Sequence, residues 1–222
     1  MLVAFLKGGL LIYPFSSLKV AFERTVKEEG EIEQAKGWIY FTGERTLAEI
    51  VSPHHQWMLV EGKSLVIYYP ERKLAFKIIS RTSVSLPFFS AFLASLREDF
   101  GLKDNKFEKA GEQLREGFKV AIWKPSRSIS PYLSRVEIFF RDGKMRRVEV
   151  YSGQNELISL TEFENYQQVE GLAFPMRITI KRPEKKKEEV IIFSKLELNP
   201  VLPSHITGFK IPDDAQVREV EW

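Results

Sequence analysis

Three histidines, His54, His55 and His205, are the side chains of this 222-residue chain best suited to proton transfer or metal ligation. His54 and His55 are adjacent, so in an extended strand they point to opposite faces and cannot hold one ion together. There is no cysteine, which removes thiolate nucleophiles, disulfides and the commonest structural zinc sites. The 30 acidic residues are scattered on polar faces, where a solvated role is the ordinary one. No GxSxG elbow, phosphate-binding P-loop, HExxH helix or GxGxxG following a strand occurs. No catalytic residue, metal site or cofactor is expected, and the protein is not expected to be an enzyme.

What remains is the chemistry of apolar surface, where each methylene withdrawn from water contributes about 0.8 kcal/mol. Nucleic acid is not an expected partner either. Trp38, Tyr40, Trp57 and Trp123 would need a basic groove around them, whereas 33 basic and 30 acidic residues are intermixed for a net charge of +3.

The elements that would present apolar surface are mostly strands. Residues 37–70 are rich in β-branched and aromatic side chains, punctuated by Gly43, Pro53 and Gly62, and predict consecutive antiparallel strands. Residues 18–26 and the segment after Gly30 predict a first long hairpin. Glu61-Gly62 predicts a tight turn into a strand at 64–69, and Leu74, Phe76 and Ile78 alternate with Lys73, Ala75 and Lys77. A polar stretch covers 103–117, after which strands resume at 118–125 and 134–140. Asp142-Gly143 is the strongest short hairpin signal in the chain. Strands are expected at 156–166 and 171–180, and the charged segment from Lys181 to Glu189 reads as a solvated hairpin tip leading into another.

One helix is expected from Ser85 to Phe100, with Pro87 in its first turn and Gly101 at its C-terminal cap. Its Phe89, Phe92, Leu93, Leu96 and Phe100 form one apolar stripe. The apolar N-terminus, residues 1–17, has no charged region before its apolar stretch and no small-x-small cleavage site. It is read as a short helix and leading loop of the folded domain. No run approaches the roughly 20 apolar residues of a transmembrane helix. Ten or eleven antiparallel strands in a single domain over residues 1–222 must curl or close, with the helix capping the opening. The fold class is mainly β with some α (α+β).

Several of these segments, in this order, resemble the LolA family of periplasmic lipoprotein carriers. They are the strand opened by Gly37, the hairpin Val60 to Pro70, Leu86-Pro87-Phe88-Phe89 at the lid position, the stretch 139–180 and the C-terminal 209–217. The resemblance implies a curved antiparallel sheet forming an unclosed β-barrel, covered by a lid helix and a short N-terminal helix. It implies a cavity that takes the acyl chains of a lipoprotein or lipid and carries them through the periplasm, from an inner-membrane donor to an outer-membrane acceptor. A monomer is expected. A lipid- or lipoprotein-sensing module with a different cargo is the alternative.

The alternating strands supply a candidate lining: Ile39, Leu65, Ile67, Tyr69, Leu74, Phe76, Val136, Ile138 and Phe140, with Phe88, Phe89, Phe92 and Leu96 on the lid. Each of these would serve a dry core equally well, so the expectation rests on the set. The family keeps an Arg-Pro pair at the end of the strand that begins at Gly37, and its arginine holds the lid. Here Gly43 and Glu44 occupy those positions. Arg45 is the substitute for the lid contact, at an offset of one residue that turns a strand side chain to the other face.

Overall fold

The computed structural model describes residues 13–80 and 84–221. Its strands are β1 (Leu18–Glu28), β2 (Glu31–Phe41), β3 (Arg45–Ser52), β4 (Gln56–Glu61), β5 (Ser64–Tyr69), β6 (Leu74–Ile79), β7 (Phe107–Arg115), β8 (Phe118–Pro125), β9 (Leu133–Arg141), β10 (Lys144–Ser152), β11 (Leu157–Val169), β12 (Leu172–Arg182), β13 (Lys187–Leu198) and β14 (Gln216–Glu221). Two α-helices are described, α1 (Pro87–Ala94) and α2 (Ser204–Thr207). The strands form one sheet in the order β14-β6-β5-β4-β3-β2-β1-β13-β12-β11-β10-β9-β8-β7, unclosed at its ends. Pairing is predominantly antiparallel, but β14 lies parallel to β6.

The turns explain why neighbours in sequence are neighbours in the sheet. Glu29-Gly30, Glu116-Gly117, Asp142-Gly143 and Glu170-Gly171 each join two strands with both residues at positive φ. That is the backbone of a two-residue turn whose twist matches the strands it links. Two other connections reuse one Pro-Glu-basic-Lys segment. Pro70–Arg72 and Pro183–Lys185 make single 3-10 turns, followed by Lys73 and Lys186 in the left-handed region. Of the charged segment Lys181 to Glu189, residues 183–186 form the exposed tip, whereas Lys181 and Arg182 end β12 and Lys187 to Glu189 begin β13, with Glu189 buried.

Fourteen strands exceed the ten or eleven expected. β7 was hidden in the polar stretch 103–117 because every residue from Glu108 to Leu114 is exposed, which removes the alternation that marks a strand. It is an end strand held by β8 alone. The helix is shorter than Ser85–Phe100, ending at Ala94. Beyond it the N–H groups of Leu96 and Arg97 bond three residues back, to Leu93 and Ala94. Asp99 then draws the chain away from a helix, accepting from the Gly101 N–H and from Arg97. Burial pushes the Asp99 carboxyl up, but Gly101 and Arg97 outweigh it and hold it below its ordinary value. The expected N-terminal helix lies largely outside the described residues.

The chain divides into two compact units: described residues of Met1–Glu23, Gln34–Ser90 and Phe193–Trp222, and a second made of Arg24–Glu33 and Ala91–Ile192. In the first, Gly37 begins the buried part of β2 where the register with β3 shifts by one residue. A Cβ there would lie 1.8 Å from the Glu49 carbonyl oxygen, so only glycine lets the two backbones meet. In the second, β8 to β12 turn Ala121, Val136, Ile138, Val148, Phe163, Ile178 and Ile180 into one buried face.

Candidate functional site

Register decides which side chains share a face, because cross-strand partners project together and alternate residues project oppositely. In the first unit one row runs Ile39, Ala48, Met58, Ile67, Phe76 across β2 to β6. Flanking rows on the same face hold Phe41, Thr46, Val60, Leu65 and Ile78, and Gly37, Ile50, Gln56, Tyr69 and Leu74. Six of the expected lining residues, Ile39, Leu65, Ile67, Tyr69, Leu74 and Phe76, therefore lie on one face. Their exposure divides them. Ile39 is fully buried, whereas Leu65, Ile67, Tyr69, Leu74 and Phe76 are half-buried, as are Met58 and Ile78.

Phe88 and Phe89, from the first turn of α1, are buried in the same unit. The Phe88 ring centroid lies 5.1 Å from that of Phe22, and Phe89 lies 6.1 Å from Phe41, which belongs to the face just described. Phe15 and Tyr13 also pack on Phe41. This end of the face is closed by aromatic contacts, and the β4–β6 part is left half-open.

The opposite face of the same strands is apolar too. It carries Leu47, Leu59, Val66, Tyr68 and Ala75, covered by Leu202, Ile206, Phe209, Ile211 and Ala215 of the C-terminal segment. Trp57 packs on Phe209 with ring centroids 5.0 Å apart. Arg45 belongs to this face. Its two terminal nitrogens donate to the carbonyl oxygens of Thr207 at 2.6 Å and Phe209 at 2.9 Å. Arg45, the residue expected at the lid contact, is turned by the one-residue offset to this face, where its guanidinium anchors the C-terminal segment. An ion pair of Lys73 with Asp214 at 2.6 Å fastens the far end of that segment. Hydrogen bonding to each other raises the Lys73 ammonium and lowers the Asp214 carboxyl from their ordinary values.

In the second unit, Val136, Ile138 and Phe140 alternate along β9 on one face. Val136 and Ile138 are fully buried and Phe140 is half-buried. Phe92 is buried too, stacked on Phe174 at 5.5 Å, and Leu96 is half-buried in the turn after α1. The reverse face of β8 to β10 carries charged side chains laid over aromatic rings. Arg147 and Arg115 lie over the Phe139 ring, and Arg141 over Phe118. Glu137, buried beneath, is paired with Arg135 and Arg115. Burial pushes the Glu137 carboxyl up, but the two arginines override it and hold it below the usual carboxylate range.

Among the described residues no three or more His, Asp or Glu side chains gather as metal ligands, and no helix is long and apolar enough to cross a membrane. His55 instead meets Glu49 at 3.3 Å. Met58, and Ile78 from the alternation of β6, complete the half-open face although neither was among the expected lining residues. The signal for Met58 is the register, visible only once the partner strands are known.

No family model and no curated protein matches the sequence. Solved structures do match in fold. A DUF1329 family protein from Desulfovibrio piger superposes with a TM-score of 0.61 at 16% identity, over 86% of this chain and 89% of that one. A LolA superfamily protein from Nitrosomonas europaea gives 0.56 at 17%, over 87% and 90%. The chain has a LolA-like fold. An outer membrane lipoprotein-sorting protein domain from Vibrio parahaemolyticus agrees, with a TM-score of 0.57 at 13% identity over 86% and 88%. The half-open face of β4–β6 is therefore part of a LolA-like sheet.

Proposed function

We propose that this protein is a carrier in the cell envelope that holds the acyl chains of a lipoprotein or lipid against the β4–β6 face, and that it performs no covalent chemistry. One observation carries the proposal: Met58, Leu65, Ile67, Tyr69, Leu74, Phe76 and Ile78 stand together, half-buried, on one face of three adjacent strands. A soluble domain that gained nothing from such a patch would bury it or make it polar. At about 25 cal/mol per Å² of apolar surface covered, a hydrocarbon chain laid on it is retained by several kcal/mol. The LolA-like fold, shared with a lipoprotein-sorting domain, supports the same function. The periplasm, delivery from an inner-membrane donor to an outer-membrane acceptor, action as a monomer, and α1 serving as a lid belong to this proposal.

Native mass spectrometry of the purified protein, with lipid extraction, tests it. Co-purifying acyl species, or saturable uptake of a fluorescent acyl probe, is the expected result. A protein that carries no lipid and takes up no probe would refute it. A sensing module with another cargo would bind the probe as well but would not pass it to acceptor vesicles.

A further inference from the structure

The face that carries Leu65, Ile67 and Phe76 continues onto β14, the last strand of the sheet on that side. The parallel register pairs Gln216 with Leu74, Arg218 with Phe76 and Val220 with Ile78. The row Ile39, Ala48, Met58, Ile67, Phe76 thus ends on Arg218. Across β14, β6, β5 and β4 the positions on this face are Gln216, Arg218, Val220, Leu74, Phe76, Ile78, Leu65, Ile67, Tyr69, Gln56, Met58 and Val60. Arg218 is the sole charge among them. Its neighbours Lys77 and Glu219 project to the other face and pair with each other at 2.7 Å. Arg218 is exposed and has no carboxylate partner among the described residues.

We infer that the ligand of this face is a single-chain acyl anion, a long-chain fatty acid whose carboxylate is received by Arg218. The inference rests on the acyl-carrying function proposed above and specifies its cargo. Strands are about 4.8 Å apart, so Met58 on β4 and Arg218 on β14 are separated by about 14 Å. One lipid chain reaches about 15 Å, half the hydrocarbon thickness of a bilayer. A chain lying across the strands along this row places its methylenes on Met58, Ile67 and Phe76 and its head at the guanidinium. The fork of an arginine donates two parallel N–H bonds to a carboxylate. The neighbouring row, Val60, Leu65, Ile78 and Val220, ends in no polar group, and the row of Tyr69 and Leu74 ends on the uncharged Gln216, so only one row carries a cationic head.

An inward charge on an end strand has a second use, since it discourages pairing with another sheet edge. A glutamate would serve that use as well as an arginine, but it would repel a carboxylate. The test measures displacement of a neutral fluorescent apolar probe by hexadecanoate and by hexadecanol, for the wild type, Arg218→Glu and Arg218→Lys, with circular dichroism to verify folding. Hexadecanoate is expected to bind the wild type more tightly than hexadecanol. Arg218→Glu reduces that preference about tenfold or more, and Arg218→Lys restores part of it. A preference unaltered by Arg218→Glu would overturn the assignment, leaving Arg218 as an edge guard. Tighter binding of palmitoyl lysophosphatidic acid or of phosphatidylglycerol than of hexadecanoate would overturn the choice of a single-chain carboxylate. Failure of the wild type to take up even the neutral probe would instead refute the acyl-carrying function itself.

Discussion

The apolar face of β8 to β12 and the apolar face of β4 to β6 are written in the same alphabet but end in different states. Val136, Ile138, Phe163 and Ile178 are 3%, 0%, 1% and 0% exposed, so their face is a closed core. Leu65, Ile67, Leu74 and Phe76 alternate as regularly and stay half-buried. The contrast shows that alternation reports which side of a strand is apolar, not whether that side is finished. A core face tolerates no unpaired charge, whereas a face awaiting a ligand accepts one at small cost to stability and large cost to binding.

The sharpest way to break this comparison is to place the same carboxylate on both faces. Ile138→Asp buries an unpaired charge and should cost more than about 4 kcal/mol, enough to prevent folding. Ile67→Asp should cost about 1 kcal/mol, since its carboxylate reaches water. Denaturant midpoints check both, and equal losses would make the β4–β6 face an ordinary core. Next in size is Phe92→Ala, expected to lose about 3–5 kcal/mol because its ring is fully buried on Phe174.

Arg45→Ala removes two charge-assisted hydrogen bonds to carbonyls of the C-terminal segment. It should lower stability by about 1–2 kcal/mol and speed proteolysis after residue 200, with acyl uptake unchanged. Reduced uptake would return Arg45 to the lid role implied by the family resemblance.

The smallest effect is a pH dependence. Glu137 is held below its ordinary value in the fold, so its contribution is present above the unfolded value and is lost as pH falls through the folded one. Glu137→Gln should therefore unfold along a flatter curve than the wild type when pH is lowered below about 4. An unchanged acid limb of the stability curve would show that the pairs with Arg115 and Arg135 contribute nothing.

Much of the fold was legible in residues 18–80 and 118–198, where β-branched alternation and Asp142-Gly143 marked strands and a turn. The LolA-like order of segments was legible as well. β7 was not, because an end strand with both faces in water keeps no hydrophobic period. The helix limit was not, because the apolar stripe through Leu96 and Phe100 continues past the point where Asp99 takes up the local backbone N–H. Of the site, the shared face of Leu65, Ile67, Tyr69, Leu74 and Phe76 follows from spacing alone. Their half-burial does not, nor does the meeting of Phe76 with Arg218, because both depend on strands distant in sequence.

Titration of a neutral fluorescent acyl probe into the wild type and Phe76→Asp tests the central claim most directly, with denaturant midpoints measured alongside. The predicted result is saturable uptake by the wild type, weakened more than tenfold in Phe76→Asp while its stability falls by no more than about 1 kcal/mol. Uptake that is absent in the wild type, or equal in the two proteins, would contradict it.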